Sequence, residues 1–222
     1  MADTDRAATA TKVAETPTTH IAFLLDRTGS MANKLEHTIH GFNAYVDELR
    51  TDPEIDYRFT LCQFDSESFD VLVDGGRLDD VPRLNRENFV PRGMTPLLDA
   101  SADIIRRAER VEADRHLVVI LTDGDENTSK RTTYGKLKEL ISLKKSEGWQ
   151  FLFLGANIDA YADAGRVGIA RHAVMSYGRG EEATRSAYAS VARATASAAR
   201  GEWASFTAED KAAAGDDHDR EA

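Results

Sequence analysis

Cysteine is almost missing from this chain: Cys62 is the only one in 222 residues. A single thiol can close no internal disulfide and build no cysteine-based zinc cluster, which fits a reducing, cytoplasmic setting. Long apolar runs are missing too. Ile21 to Leu25, Leu117 to Leu121 and Phe151 to Leu154 are far shorter than the ~20 residues that cross a bilayer, so no membrane partner is expected. The segment from Met1 to Thr19 lacks the apolar core of a secretory signal. Positive charge is in the minority, with 28 Lys and Arg against 38 Asp and Glu and a net charge of −10. Broad binding to phosphate backbones relies on clustered cations, so nucleic acid is not expected. A glycine loop that cradles a nucleotide and is followed by lysine is also absent.

What is present is an ordinary globular balance, 41% hydrophobic and 30% charged, in a length that suits one sizeable core. The organisation expected is a flexible leader over 1–18, one domain over 19–203, and a short helix with an acidic, solvated tail over 204–222. That tail holds Glu209, Asp210, Asp216, Asp217, Asp219 and Glu221 against Lys211 and Arg220.

Between the ends the hydrophobic period switches repeatedly. His20 to Leu25 is a continuous apolar run, and Leu35, Ile39, Phe42, Val46 and Leu49 then keep one helical face. Tyr57 to Phe64 and Phe69 to Val73 read as a hairpin, closed by Asp74, Gly75 and Gly76. Thr95 before Pro96 reads as a helix cap followed by proline in the first helical position. His116 to Leu121 is as apolar as a strand covered on both faces. Tyr134 to Lys145 reads as a helix with Leu137, Leu140, Ile141 and Leu143 inward, and Trp149 to Leu154 as another covered strand. Ile158 to Val167 reads as a helix, Arg171 to Tyr177 as an edge strand and Glu181 to Arg200 as an alanine-rich helix. This alternation predicts an α/β fold: a three-layer, doubly wound, mostly parallel central sheet with helices on both faces and one antiparallel edge strand.

In such sheets ligands bind beyond the carboxyl ends of the strands. Asp26, Arg27, Thr28, Gly29 and Ser30 leave the first strand; Thr122, Asp123, Gly124 and Asp125 leave the central one; Gly93, Met94, Thr95 and Pro96 lead into the helix that follows Pro96. Carboxylates and hydroxyls from three loops are thus placed on one edge, with no His or Cys among them. Hard oxygen donors suit Mg²⁺, Mn²⁺ or Ca²⁺ rather than zinc.

Asp26-Arg27-Thr28-Gly29-Ser30-Met31 resembles the D-x-S-x-S signature of von Willebrand factor type A (vWA) domains. Gly93-Met94-Thr95-Pro96-Leu97 resembles that family's threonine loop, and Leu121-Thr122-Asp123-Gly124 its aspartate loop. The resemblance covers roughly residues 18 to 200, and implies a Rossmann-like fold with a metal-ion-dependent adhesion site. It makes Thr28 and Ser30 direct hydroxyl ligands, Thr95 direct or water-linked, and Asp26 and Asp123 ligands mainly through water. Thr28 departs from the usual serine. Phe151 to Asn157 resembles a strand and turn of small stand-alone bacterial members.

The function this implies is a non-enzymatic adaptor that takes a partner protein's Asp or Glu onto bound Mg²⁺. Stand-alone intracellular relatives suggest an AAA-type ATPase or a stress-response or metal-resistance assembly as partner. Two alternatives stand beside it. In a metal-assisted phosphatase Asp26 would be the nucleophile, but that scheme wants a second aspartate where Thr28 stands. In a scaffold with a vestigial site, contacts would run through the basic helix from Lys130 to Lys145 or through the acidic tail. Arg27, beside the site, would repel an ion if it pointed inward or could steer an acidic partner.

Overall fold

The computed structural model describes residues 16–156, 160–178 and 180–216; the leader up to residue 15 and the acids from Asp217 onward lie outside them. Six strands form one sheet in the order β3-β2-β1-β4-β5-β6. They are β1 (Thr18–Asp26), β2 (Asp56–Phe64), β3 (Phe69–Arg77), β4 (Arg115–Thr122), β5 (Gln150–Ala156) and β6 (Val174–Tyr177). Every pairing is parallel except that of β2 with β3. The α-helices are α1 (Leu35–Leu49), α2 (Leu97–Ala108), α3 (Tyr134–Ser146), α4 (Ala160–Arg166), α5 (Glu181–Ala199) and α6 (Ala208–Ala213). α1, α5 and α6 pack together, while α2, α3 and α4 form the other group. This is the expected α/β architecture with β3 as its antiparallel edge.

β1 and β4 are buried almost from end to end, because a central parallel strand is covered by helices on both faces. Four local expectations are corrected. β3 does not close at Gly75: the register shifts there, Gly75 takes φ +65°, and pairing continues to Arg77, so the glycines form a bulge. α2 begins at Leu97, after Pro96 rather than on it. Leu143 points outward and is 54% exposed. The edge strand is short, since residues 171–173 form a 3-10 turn before Val174. Ile158 and Asn157 lie outside the described residues. In the carboxyl segment, Thr207 and Asp210 form a reciprocal capping box, and both Asp210 and Asp216 are buried rather than solvated. Asp216 accepts hydrogen bonds from the Tyr161 hydroxyl and the Ser176 N–H.

Helix α5 reaches the sheet through a missing side chain on α1. The Tyr188 ring is fully buried and lies parallel to Phe23 at 6.5 Å, and a Cβ added at Gly41 would come within 2.2 and 2.6 Å of that ring. Gly41→Ala therefore sets helix propensity, which favours alanine by about 1 kcal/mol, against overpacking, which costs about 1–3 kcal/mol. The clash is with a ring wedged in the core, so a net loss of stability is expected in urea unfolding; a gain would mean that the two helices separate freely.

Opposite the carboxyl edge, His20 of β1 faces His116 of β4, with their Nδ1 atoms 3.2 Å apart and His20 Nε2 at 2.8 Å from the Thr60 hydroxyl. Burial, with a smaller contribution from His116, holds the His20 pKa down to about 3. Its neutral form is therefore native, and the stability this gives is present above the unfolded pKa of about 6.5 and lost as pH falls from there toward 3. Comparison with His20→Asn cancels the titrating groups that do not contact His20. The stability difference between variant and wild type is expected to move by about 2 kcal/mol in the variant's favour between pH 7 and pH 5. Denaturant midpoints at the two pH values check this, and parallel changes in both proteins would refute it.

Candidate metal centre

The register of the central strands builds the centre of this site. Leu25 of β1 pairs with Leu121 of β4, so Asp26 and Thr122 leave the sheet side by side. The Thr122 hydroxyl donates to Asp26 Oδ2 at 2.5 Å, and the Thr28 N–H donates to Asp26 Oδ1 at 2.7 Å. Asp26 is wholly buried. Burial pushes its carboxyl pKa up to about 6, against the pull of the Thr122 and Thr28 hydrogen bonds.

From Asp26 the chain passes through Thr28 into a 3-10 turn over Gly29–Lys34. Thr28 Oγ1 lies 3.0 Å from Ser30 Oγ, and Ser30 Oγ donates to Asp123 Oδ1 at 2.5 Å. Thr95 arrives from the third loop and is buried. A Cβ built on Gly124 would lie 2.8 Å from Thr95 Oγ1 and 3.3 Å from Ser30 Oγ, so the absence of a side chain at 124 leaves room in which these hydroxyls meet. All five residues singled out in the sequence, Asp26, Thr28, Ser30, Thr95 and Asp123, are brought together. Ser30 is exposed, which leaves the cluster open to solvent on one side.

Thr95 does not cap α2. That task falls to the aspartate loop, where Glu126 Oε2 accepts the Leu98 N–H and Ser129 Oγ accepts the Asp99 N–H. Asp99 in return accepts the N–H groups of Lys130, Arg131 and Thr132. Asn127 holds Thr95 from both sides, with its Oδ1 accepting the Thr95 N–H and its own N–H donating to the Thr95 carbonyl. The Thr95 hydroxyl is thereby released from capping and left to the site. Asp125 is exposed.

Arg27 does neither of the two things its position suggested. It turns away from the cluster, donating to Asp65 Oδ2 through Nε at 3.0 Å and Nη2 at 2.8 Å and pairing with Asp70 at 2.8 Å. It ties the end of β1 to the β2–β3 turn, while its carbonyl accepts the Arg92 N–H and Gly29 donates to the Gly93 carbonyl. These contacts set the threonine loop against the first loop.

Lys34 was not singled out in the sequence. Its side chain is 6% exposed, and its Nζ lies 3.2 Å from Asp123 Oδ2 and 3.4 Å from the Ala156 carbonyl oxygen. Asp123 thus spends one oxygen on Ser30 and the other on an ammonium.

The donor set fits a small, hard cation: oxygen throughout, two carboxylates and three hydroxyls, at a place where a β-carbon would intrude. Among the described residues no group of three or more His, Cys, Asp or Glu could hold a metal, so an ion here depends on the hydroxyls. A bound divalent ion would supply Lewis acidity toward an incoming oxygen ligand.

No family model matches the sequence, and no curated protein matches it. Solved structures do match. The vWF domain of the type V pili tip protein Mfa5 from Porphyromonas gingivalis superposes with a TM-score of 0.59 at 10% identity, covering 84% of this chain and 95% of that one. The SpRpn10 VWA domain gives 0.56 at 13%, covering 78% and 94%. Proximal thread matrix protein 1 of the mussel byssus, with a zinc-occupied MIDAS motif, gives 0.53 at 14%, covering 83% of this chain and 46% of that one. The chain thus spans under half of the mussel protein and nearly all of the other two. At such identities the likeness is one of fold.

Proposed function

We propose that this chain, whose fold is that of the von Willebrand factor type A domains, is a protein-interaction module that accepts an Asp or Glu of a partner at a Mg²⁺ site made by Asp26, Thr28, Ser30, Thr95 and Asp123. The observation that carries this reading is the convergence of two carboxylates and three hydroxyls from three separate loops on a point that Ser30 opens to solvent. Mn²⁺ or Ca²⁺ suits the same oxygen donors.

Each residue has a role that its hydrogen bonds prepare. Asp26, fixed by Thr28 and Thr122, sets the negative charge at the base. The hydroxyls of Thr28, Ser30 and Thr95 can coordinate without adding charge, which keeps a bound ion electrophilic toward an outside carboxylate. Asp123 orients Ser30 through their short hydrogen bond. Exposed Met94, next to Thr95 in the chain, offers apolar surface on which residues flanking a partner's acid can rest.

A hydrolase reading is disfavoured by Asp26 itself. A nucleophilic carboxylate needs an accessible oxygen with a free lone pair toward substrate, whereas Asp26 is fully buried with both oxygens engaged. The basic stretch is also less free than its composition suggests, since Lys144 pairs with Glu109 and Glu147, and Arg131 with Asp103 and Asp99. No helix of the described residues is long and apolar enough to cross a membrane. The partner classes implied by the sequence resemblance, an AAA-type ATPase or a stress-response assembly, are the first to try.

The test is retention of proteins on immobilised wild-type chain in Mg²⁺, elution with chelator, and the same experiment with Asp123→Ala. A partner retained only by wild type and released by chelator supports the reading. A partner held equally by both proteins, or insensitive to chelator, overturns it.

A further inference from the structure

Lys34 breaks a local rule. It is buried, which a lysine tolerates only with its charge compensated. Part of that compensation is the 3.2 Å pair with Asp123 Oδ2, a carboxylate that follows β4 and belongs to the candidate metal cluster. A departure from local preference at the edge of a site points to function.

We propose that Lys34 is a cation built into the metal centre: it competes electrostatically with the divalent ion for Asp123 and leaves the loaded site with the positive charge that draws in a partner's carboxylate. This rests on the metal reading above and adds how that site is regulated. The charges decide the argument. With Asp26 and Asp123 ionised, the two carboxylates and the Lys34 ammonium sum to −1. A divalent ion takes the cluster to +1, and one external carboxylate returns it to zero. Without the ammonium the same steps run from −2 to 0 to −1, so the ion would enter more readily and the outside carboxylate would gain less. The ion itself couples metal and acidic ligand in both cases; Lys34 sets the balance, weakening the bare ion and strengthening the outside carboxylate.

The test uses Lys34→Met, which keeps the length of the side chain, and Lys34→Gln, which also keeps a donor for the Ala156 carbonyl should the apolar variant fold poorly. Mg²⁺ is titrated calorimetrically into each full-length protein in chloride and again in acetate, which serves as the simplest carboxylate. The variants are expected to bind Mg²⁺ at least about tenfold more tightly than wild type in chloride, the scale of one unit charge ~6 Å from a divalent ion even at the dielectric of water. Acetate below saturation is expected to tighten the apparent Mg²⁺ affinity of wild type more than that of the variants. If wild type binds Mg²⁺ and neither folded variant binds it more tightly, Lys34 is a structural ion pair only and this inference falls while the metal reading stands. If no protein binds Mg²⁺ in either buffer, the metal reading falls and takes the inference with it.

Discussion

Asp26→Asn is expected to weaken divalent-metal binding by about a hundredfold or more while making the metal-free protein more stable. The loss follows from removing the charge at the base of the site, where even groups that act on a metal through an intermediary are worth 10- to 100-fold. The gain follows from burial. The folded Asp26 has its pKa raised to about 6 by desolvation, against about 3.9 in an unfolded chain. Such a group favours the folded state in its protonated form, so ionising it costs stability as pH rises from the unfolded value through the folded one, and the whole cost is present above about 6. Asparagine carries no charge and can still accept the Thr28 N–H while its amide donates to the Thr122 hydroxyl. At pH 7.5 without metal the variant should be more stable by about 1–3 kcal/mol. Calorimetric titration reads the loss of metal binding and urea unfolding in chelator the gain in stability. A variant that is less stable and still binds metal would place Asp26 in the scaffold rather than in the site.

The second large effect lies beside the site. Asp65→Ala is expected to cost about 3 kcal/mol, because removing one partner of a buried ion pair leaves the other uncompensated. The Asp65 side chain is fully buried and accepts from Arg27 and Arg92 through Oδ2 and from the Glu67 and Ser68 N–H groups through Oδ1. Burial pushes its carboxyl up, but the Glu67 and Ser68 N–H groups and the Arg27 guanidinium outweigh it and hold the pKa below the usual carboxylate range. Its contribution is present above that range and lost as pH falls through the depressed value. Arg27 keeps Asp70 and Gln63 as partners, which places the expected loss at the low end for a buried pair. Asp65→Asn, which preserves the N–H acceptor, should lose less than Asp65→Ala. Equal losses would mean that the ion pair alone carries the effect, and an Asp65→Asn close to wild type would mean that the turn's hydrogen bonds carry it.

The parts of this site that a reader of the sequence can see are those governed by short-range rules. The apolar run of β1 ends at a carboxylate, the run of β4 ends one residue before another, and parallel topology sends both to the same edge. What lies beyond reach is whatever depends on a partner far along the chain. Thr95 before Pro96 has the chemistry of a cap, and only the fold reveals that Glu126 and Ser129 serve the α2 N–H groups and release Thr95. Lys34 looks like one more surface charge until Asp123, 89 residues later, is found beside it. Arg27 has an unreadable direction for the same reason, since its fate is set by Asp65 in a turn across the sheet. Leu143 misleads differently: apolar residues on a helix need not all face inward, and the inner stripe of α3 runs through Leu137 and Ile141 with Leu140 packed beside them.

The most direct test of the central claim is the anomalous scattering of Mn²⁺ in crystals of the full chain grown with that ion. The account predicts one strong peak within coordination distance of the Thr28, Ser30 and Thr95 hydroxyls, and its disappearance in Asp26→Asn crystals. An absent peak at this place, with Mn²⁺ at saturating concentration, or a peak that persists unchanged in the variant, would contradict it.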